Sequence, residues 1–375
     1  MTNQLPLGLY VHYPWCKRKC PYCDFNSHPK NESLITDKSY LNVLLQDFQE
    51  NLTYIDNRKF LSVYFGGGTP SLLAPNLMAL LLKEISPYVT SDTEISMEAN
   101  PGTVDKDRLK AYKDIGINRI SLGVQSFNDK SLKLLGRIHD GKTALNACNA
   151  IVEAGFDNFN LDIMHGLPLQ HNQEALEDLN KAIDTGCNHL SWYELTIEED
   201  TYFGAHPPKL PNEDELSLIE ESGFELLAKA NFERYEVSGY TKNKRCLHNQ
   251  NYWYFGDYLG IGAGAHSKIK LKDITYRKAN LEDPKAYMQS VENNSVKFFK
   301  VDKDSLPFEF MLNRLRIFDK VKIDEFTNTT ALDFSVVEDK LHKACDKGLL
   351  VIENDSFYLT KLGRWMLNDI LEMFL

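Results

Sequence analysis

The segment Leu61-Ser-Val-Tyr-Phe65-Gly66-Gly67-Gly68-Thr69-Pro70 decides how the fold is read. A short apolar run stops on three glycines, and an amphipathic stretch, Asn76–Ile85, follows. A buried strand that ends in a glycine loop and returns through a helix is a parallel βα unit. The same rhythm extends both ways. Upstream, Leu7–His12 is a strand and Ser39–Asn51 its helix. Downstream come strand Glu94–Met97 with helix Lys106–Ile115, and strand Arg119–Val124 with helical pieces Lys130–Leu135 and Lys142–Ala154. Strand Phe159–Ile163 with helix Gln173–Thr185, and strand His189–Glu194 with helix Glu213–Ala230, complete the series. Six such units predict an α/β fold, an incomplete (βα)6 TIM-like barrel. Right-handed crossovers then put every C-terminal strand end on one face.

Polar residues collect at those ends. Tyr13–Cys16 follows the first strand, Gly66–Thr69 the second, Glu98 the third and Gln125 the fourth; Asp162 lies near the end of the fifth, and Glu194 closes the sixth. One such residue is ordinary, because strand ends hydrogen-bond to their loops. The whole set around one mouth describes a binding site. Glycines let backbone approach a ligand, and Thr69-Pro70 fixes the loop's exit. Carboxylates suit ammonium groups and ribose hydroxyls, while Gln125 both donates and accepts. Arg137 suits a ligand carboxylate, and equally a surface ion pair.

The sharpest local signal is Cys16-Lys-Arg-Lys-Cys20-Pro-Tyr-Cys23; the other four cysteines, Cys148, Cys187, Cys246 and Cys345, are scattered. Three readings compete. Zinc needs a fourth ligand, which His12 or His28 could supply. A redox pair of Cys20 and Cys23 leaves Cys16 unexplained. An iron–sulfur cubane held by three thiolates keeps one iron open to a small molecule. The aromatics Trp15, Tyr22 and Phe25 are expected to shape and shield the loop.

Of 375 residues, 43% are apolar and 25% charged, as in a folded protein with a large core. With 42 basic and 53 acidic residues the net charge is −11, which disfavours nucleic acid as a partner. No apolar run is long enough to span a membrane, and Met1–Leu9 lacks an export signal, so a cytoplasmic protein with reduced thiols is expected.

His248-Asn249-Gln-Asn-Tyr252-Trp253 is a second motif. Imidazole ligates haem iron and aromatics flank a porphyrin edge, although the residues alone better describe a half-buried histidine among packing rings. Cys246 is a second ligand or a plain buried thiol. The run Gly260-Ile-Gly262-Ala-Gly264-Ala-His266-Ser267 lacks the strand–helix setting of a dinucleotide fingerprint. Further on, Leu281–Lys300 is expected as a polar connector. Helices Ser305–Ile317, Val336–Lys347 and Leu362–Phe374, with a hairpin of Leu349–Ile352 and Phe357–Leu359, predict a mainly helical, winged-helix-like module. Residues 304–375 carry 9 basic and 13 acidic groups, which favours covering or partner docking over DNA. The expected division is 1–240 for the barrel, 241–300 for the histidine motif and connector, and 301–375 for the terminal module.

The cysteine triplet, preceded by Tyr10-Val-His12-Tyr-Pro-Trp15, resembles the radical S-adenosylmethionine proteins of the oxygen-independent coproporphyrinogen III oxidase group. Phe65-Gly-Gly-Gly-Thr-Pro70, Glu98-Ala-Asn-Pro101, Gly123-Val-Gln125-Ser-Phe127 and Asp162-Ile-Met-His-Gly-Leu-Pro168 extend the resemblance. It implies a [4Fe–4S] cluster on Cys16, Cys20 and Cys23, with S-adenosylmethionine on the open iron, one or two molecules in all. It also implies a cofactor region lined by Tyr10, Tyr22, Gly67, Gly68, Thr69, Glu98, Gln125, Arg137, Asp162 and Thr196, with His266 at its adenosine side. The oxidase carries a further cysteine where this chain has Phe25, and a longer N-terminal extension. Both departures resemble the HemW-type haem chaperones instead, whose haem signature is similar to the His248 motif. That resemblance implies haem, with His248 as its ligand, haem-acceptor proteins such as respiratory haemoproteins, and an electron donor such as a flavodoxin or ferredoxin. Whether the chain is itself a catalyst stays open, with the oxidase or a radical enzyme on another substrate as rivals. So does the oligomeric state, a homodimer included.

Overall fold

The computed structural model describes residues 4–30 and 34–375. Six strands follow the expected rhythm: β1 (Leu7–Tyr13), β2 (Phe60–Gly67), β3 (Glu94–Ala99), β4 (Arg119–Gln125), β5 (Phe159–His165) and β6 (His189–Glu194). They pair in parallel in chain order. Three further strands, β7 (Gly239–Thr241), β8 (Asp257–Ile261) and β9 (His266–Leu271), belong to the same sheet, as does β10 (Ile274–Ala279). Strand β8 lies parallel to β1, so the parallel block has one more strand than the sequence rhythm gave. The two-residue strands Glu233–Arg234 and Phe299–Lys300 end the twelve-stranded sheet and do not pair with each other. The barrel is open.

Alternation along β1 shows how the layers form. Leu7, Leu9, Val11 and Tyr13 face the helices and join the main apolar core. Tyr10 packs the other way, among Tyr64 and His248 inside the curl. Helix Asp37–Glu50 starts where Thr36 accepts the Ser39 amide, and buries Tyr40, Leu44 and Phe48 at i, i+4 spacing. Helix Gly141–Glu153 is capped by Asp140 and buries Ala144, Ala147, Cys148 and Ile151. Each large apolar side chain taken from water contributes about 1.5–3 kcal/mol, so these stripes fix the helices to the sheet.

Buried ions clip the later strands on. Asp47 accepts from Lys278 (2.8 Å) and Tyr287 (2.8 Å), tying helix Asp37–Glu50 to β10 and to a helix over Pro284–Glu292. That helix and the strand Phe299–Lys300 occupy the expected connector, because Tyr287 and Val291 are apolar enough to dock. The terminal module has its own core around Phe310, Phe326, Val337, Leu341 and Phe357. Its helices cover a three-stranded antiparallel sheet. The last helix is two pieces, Lys361–Trp365 and Leu367–Glu372, broken where Met366 leaves helical geometry at φ −104°, ψ 36°.

Candidate functional site

After Pro14 the chain pairs Trp15 and Cys16 with His28 and Pro29, which closes the cysteine loop at its base. The glycine loop after β2 zips onto it through amides of Gly68 to Tyr13 (2.8 Å) and Thr69 to Trp15 (2.8 Å). Those glycines serve protein packing first. Gly67 sits at φ +114°, and a Cβ there would stand 2.5 Å from the His12 ring; at Gly68 it would stand 2.6 Å from the Trp15 carbonyl oxygen. Of the expected shielding aromatics, Tyr22 lines the cavity. Trp15 instead packs into the core against Tyr40, and Phe25 is 61% exposed.

All three loop cysteines, each a free thiol, border one cavity of about 470 Å³ at the C-terminal strand ends. Tyr22, Gly67, Gly68, Thr69, Glu98, Gln125, Arg137, Asp162 and Thr196 line it as expected. Tyr64, Ser121, Ser191 and Tyr193 also line it, and the sequence reading missed them. Part of their signal was alternation: Tyr64 lies two residues before Gly66 on β2, Ser121 two before Gly123 on β4, and Ser191 two before Tyr193 on β6. Tyr193 donates to Gln125 Oε1 (2.9 Å), from β6 back to β4, which is possible only because the sheet curls. Gln125 itself sits at φ +69° beside a bulge in β4, a strained setting held by the surrounding fold.

The cavity holds two buried acids. Glu98 accepts from Tyr64 (2.9 Å) and from the Gly67 amide (3.1 Å); burial, then the charge of Asp162, pushes it up to about 7. Asp162 accepts from Ser121 and Asn160 and is raised by burial. Arg137 donates to the Gly123 carbonyl (2.8 Å) and points toward Cys20 Sγ (3.6 Å), while its buried Nε has no partner in the chain. Burial also raises the Cys16 and Cys23 thiols, so metal binding there releases protons. The donor set suits a cubane cluster: three thiols, a cation beside one of them, and acceptors across the cavity. The zinc alternative loses one candidate ligand, because His12 Nδ1 meets Tyr10 (2.9 Å) and Nε2 meets the Asn26 carbonyl (2.9 Å).

Three expected residues lie elsewhere. Tyr10 is inside the barrel below the cavity, against Tyr64. His266 is exposed at the start of β9 and away from the cavity wall. His248 is buried outside the cavity wall. It is 2% exposed, on helix Leu247–Trp253 at the barrel floor, with Nδ1 on Ser62 (2.8 Å) and Nε2 on Tyr252 (3.1 Å). Burial, then Arg119, lowers it to about 3, so it stays neutral. Cys246 is a buried thiol raised to about 12 by burial, 3.6 Å from Glu94.

Residues 10–182 match the Radical SAM superfamily model, and residues 301–366 match the HemN C-terminal domain. The chain is 46% identical to heme chaperone HemW of Haemophilus influenzae, covering 100% of this chain and 99% of that protein. Against heme chaperone HemW of Escherichia coli the identity is 44%, over 100% of both. The solved coproporphyrinogen III oxidase (HemN) of Escherichia coli superimposes with a TM-score of 0.81 at 22% identity, covering 99% of this chain and 90% of that one. That last likeness concerns the fold.

Proposed function

The chain belongs to the radical S-adenosylmethionine superfamily and, within it, to the heme chaperone HemW family, and on that premise we propose that it binds haem and passes it to acceptor haemoproteins. The observation that carries the proposal is the identity of 44–46% along the entire chain, terminal module included. Phe25 supports it. The position that holds a further cysteine in the oxidase is here an exposed phenyl ring at the cavity rim.

Cys16, Cys20 and Cys23 would hold a [4Fe–4S] cluster, which supplies a single electron and an open iron for S-adenosylmethionine. The rest falls to the chain's own groups. Arg137 offsets the negative charge gathered at Cys20 and offers its free Nε to a ligand carboxylate. Glu98 and Asp162 accept from ammonium or hydroxyl groups, and Gln125, fixed by Tyr193, does either. A volume of about 470 Å³ suits a nucleoside-sized ligand. Outside the cavity the partners of this reading are the acceptor haemoproteins and a protein electron donor such as a flavodoxin or ferredoxin. We place these encounters in the cytoplasm; among the described residues no helix is long and apolar enough to cross a membrane.

Anaerobic reconstitution of the cluster, followed by haem titration and a parallel coproporphyrinogen assay, tests the proposal. Stoichiometric haem uptake that an apo-haemoprotein can draw off, without decarboxylation, is the expected result. Turnover to protoporphyrinogen would establish the oxidase instead.

A further inference from the structure

The barrel floor and the cofactor cavity are joined through one column of rings. The His248 ring lies 4.7 Å from Tyr64 at 15° and 6.3 Å from Tyr10 at 27°. Two branches leave that stack upward. Tyr64 Oη donates to Glu98 Oε1 (2.9 Å) in the cavity wall. Tyr10 Oη meets His12 Nδ1 (2.9 Å), and His12 Nε2 meets the Asn26 carbonyl (2.9 Å), three residues past Cys23.

The column has no slack. A Cβ on Gly66 would stand 2.9 Å from Tyr10, 3.0 Å from Tyr64 and 3.2 Å from Glu98 Oε1. From below, Ser62 and Tyr252 fix both His248 nitrogens, and Glu94 accepts the amides of Leu247 (3.2 Å) and His248 (3.3 Å). A ring so anchored sets the position of whatever rests on it.

We propose that His248 is a positioning residue of the cofactor cavity, which holds Tyr64 and Tyr10 so that Glu98 and the cysteine loop keep the geometry that binds S-adenosylmethionine. The inference rests on that ligand occupying the cavity, and it is separable from the haem reading.

Anaerobically reconstituted wild type, His248→Ala, His248→Phe, Tyr64→Phe and the double variant His248→Ala/Tyr64→Phe test it. Their S-adenosylmethionine dissociation constants are measured by equilibrium dialysis, with haem titrated in parallel. Losing the anchored bond to a carboxylate should weaken the cofactor by about tenfold in His248→Ala and in Tyr64→Phe. The double variant should be no worse than the weaker single one, because both act on the same bond. His248→Phe keeps a stacked ring and should recover to within about threefold of wild type. The resonance shift that the cofactor causes in the reduced cluster should shrink in step, while haem affinity stays within about twofold. Should His248→Ala not fold, Tyr252→Phe, which frees Nε2 alone, carries the test with an expected weakening of about threefold. Wild-type cofactor affinity in the variant that carries the test, effects that multiply in the double variant, or lost haem with unchanged cofactor affinity would each overturn the proposal. Wild type that binds no S-adenosylmethionine would remove the cavity reading beneath it, a result distinct from any of these.

Discussion

The mouth and the floor of the barrel are both polar and both buried, yet they differ in what their polar groups lack. At the mouth, Arg137 Nε has no partner and Glu98 is pushed up to about 7 by burial and by the neighbouring Asp162. At the floor, His248 has both nitrogens bonded, and Glu94 accepts two helix amides beside Arg119 at 3.9 Å. Unfilled bonding capacity marks a ligand site, and filled capacity marks a support. Removing a polar group should therefore act on binding directly at the mouth, whereas at the floor it should act first on stability and reach the cofactor only through the rings stacked on His248.

The largest expected effect is at the mouth. Cys16→Ser, Cys20→Ser and Cys23→Ser should each abolish the visible absorption of the reconstituted cluster; the melting temperature of the cluster-free chain should hardly move. Stoichiometric zinc in the purified wild type would break the comparison there. Next comes the floor. Glu94→Ala leaves buried Arg119 and the first amides of helix Leu247–Trp253 without their carboxylate, which should cost about 3–5 kcal/mol in denaturant unfolding.

Glu98→Gln should do the reverse. In the fold Glu98 titrates at about 7, against an ordinary 4.5, so the folded chain holds its proton more tightly than the unfolded chain. The stability this adds is full below about pH 4.5 and is lost as pH rises through 7. At pH 8 the glutamine variant should be more stable than wild type by roughly 1–3 kcal/mol while binding S-adenosylmethionine less well. Equal melting of the two proteins at pH 8 would contradict the raised carboxyl. Tyr193→Phe is the mildest case. It frees Gln125 Oε1 toward the open cavity, where water replaces the lost donor, and should lower the melting temperature by no more than about 2 °C.

The mouth was legible in the sequence because its chemistry sits at strand ends next to glycines and cysteines, where local pattern and function coincide. Gly67, Gly68, Thr69, Glu98, Gln125 and Asp162 line the cavity where the strand-end pattern put them, whereas Tyr22 and Thr196, which also line it, came only with the family resemblance. The floor was not. Strand β8 joins β1 across some 250 residues of chain, a pairing no local period reveals. His248 drew attention through its neighbours in sequence, Tyr252 and Trp253, but its role is set by Ser62 and Tyr64 on β2, which only folding brings near. Glycine was read in the right place with only part of the reason, since Gly67 and Gly68 also make room for His12 and Trp15. The helix break at Met366 and the helix inside the expected connector were hidden by ordinary composition.

Electron paramagnetic resonance of the anaerobically reconstituted, reduced protein, recorded before and after adding S-adenosylmethionine, tests the central claim most directly. Three thiolates and an open iron facing this cavity predict a cluster signal whose g values move when the cofactor is added. A signal indifferent to the cofactor, or none at all, would contradict it.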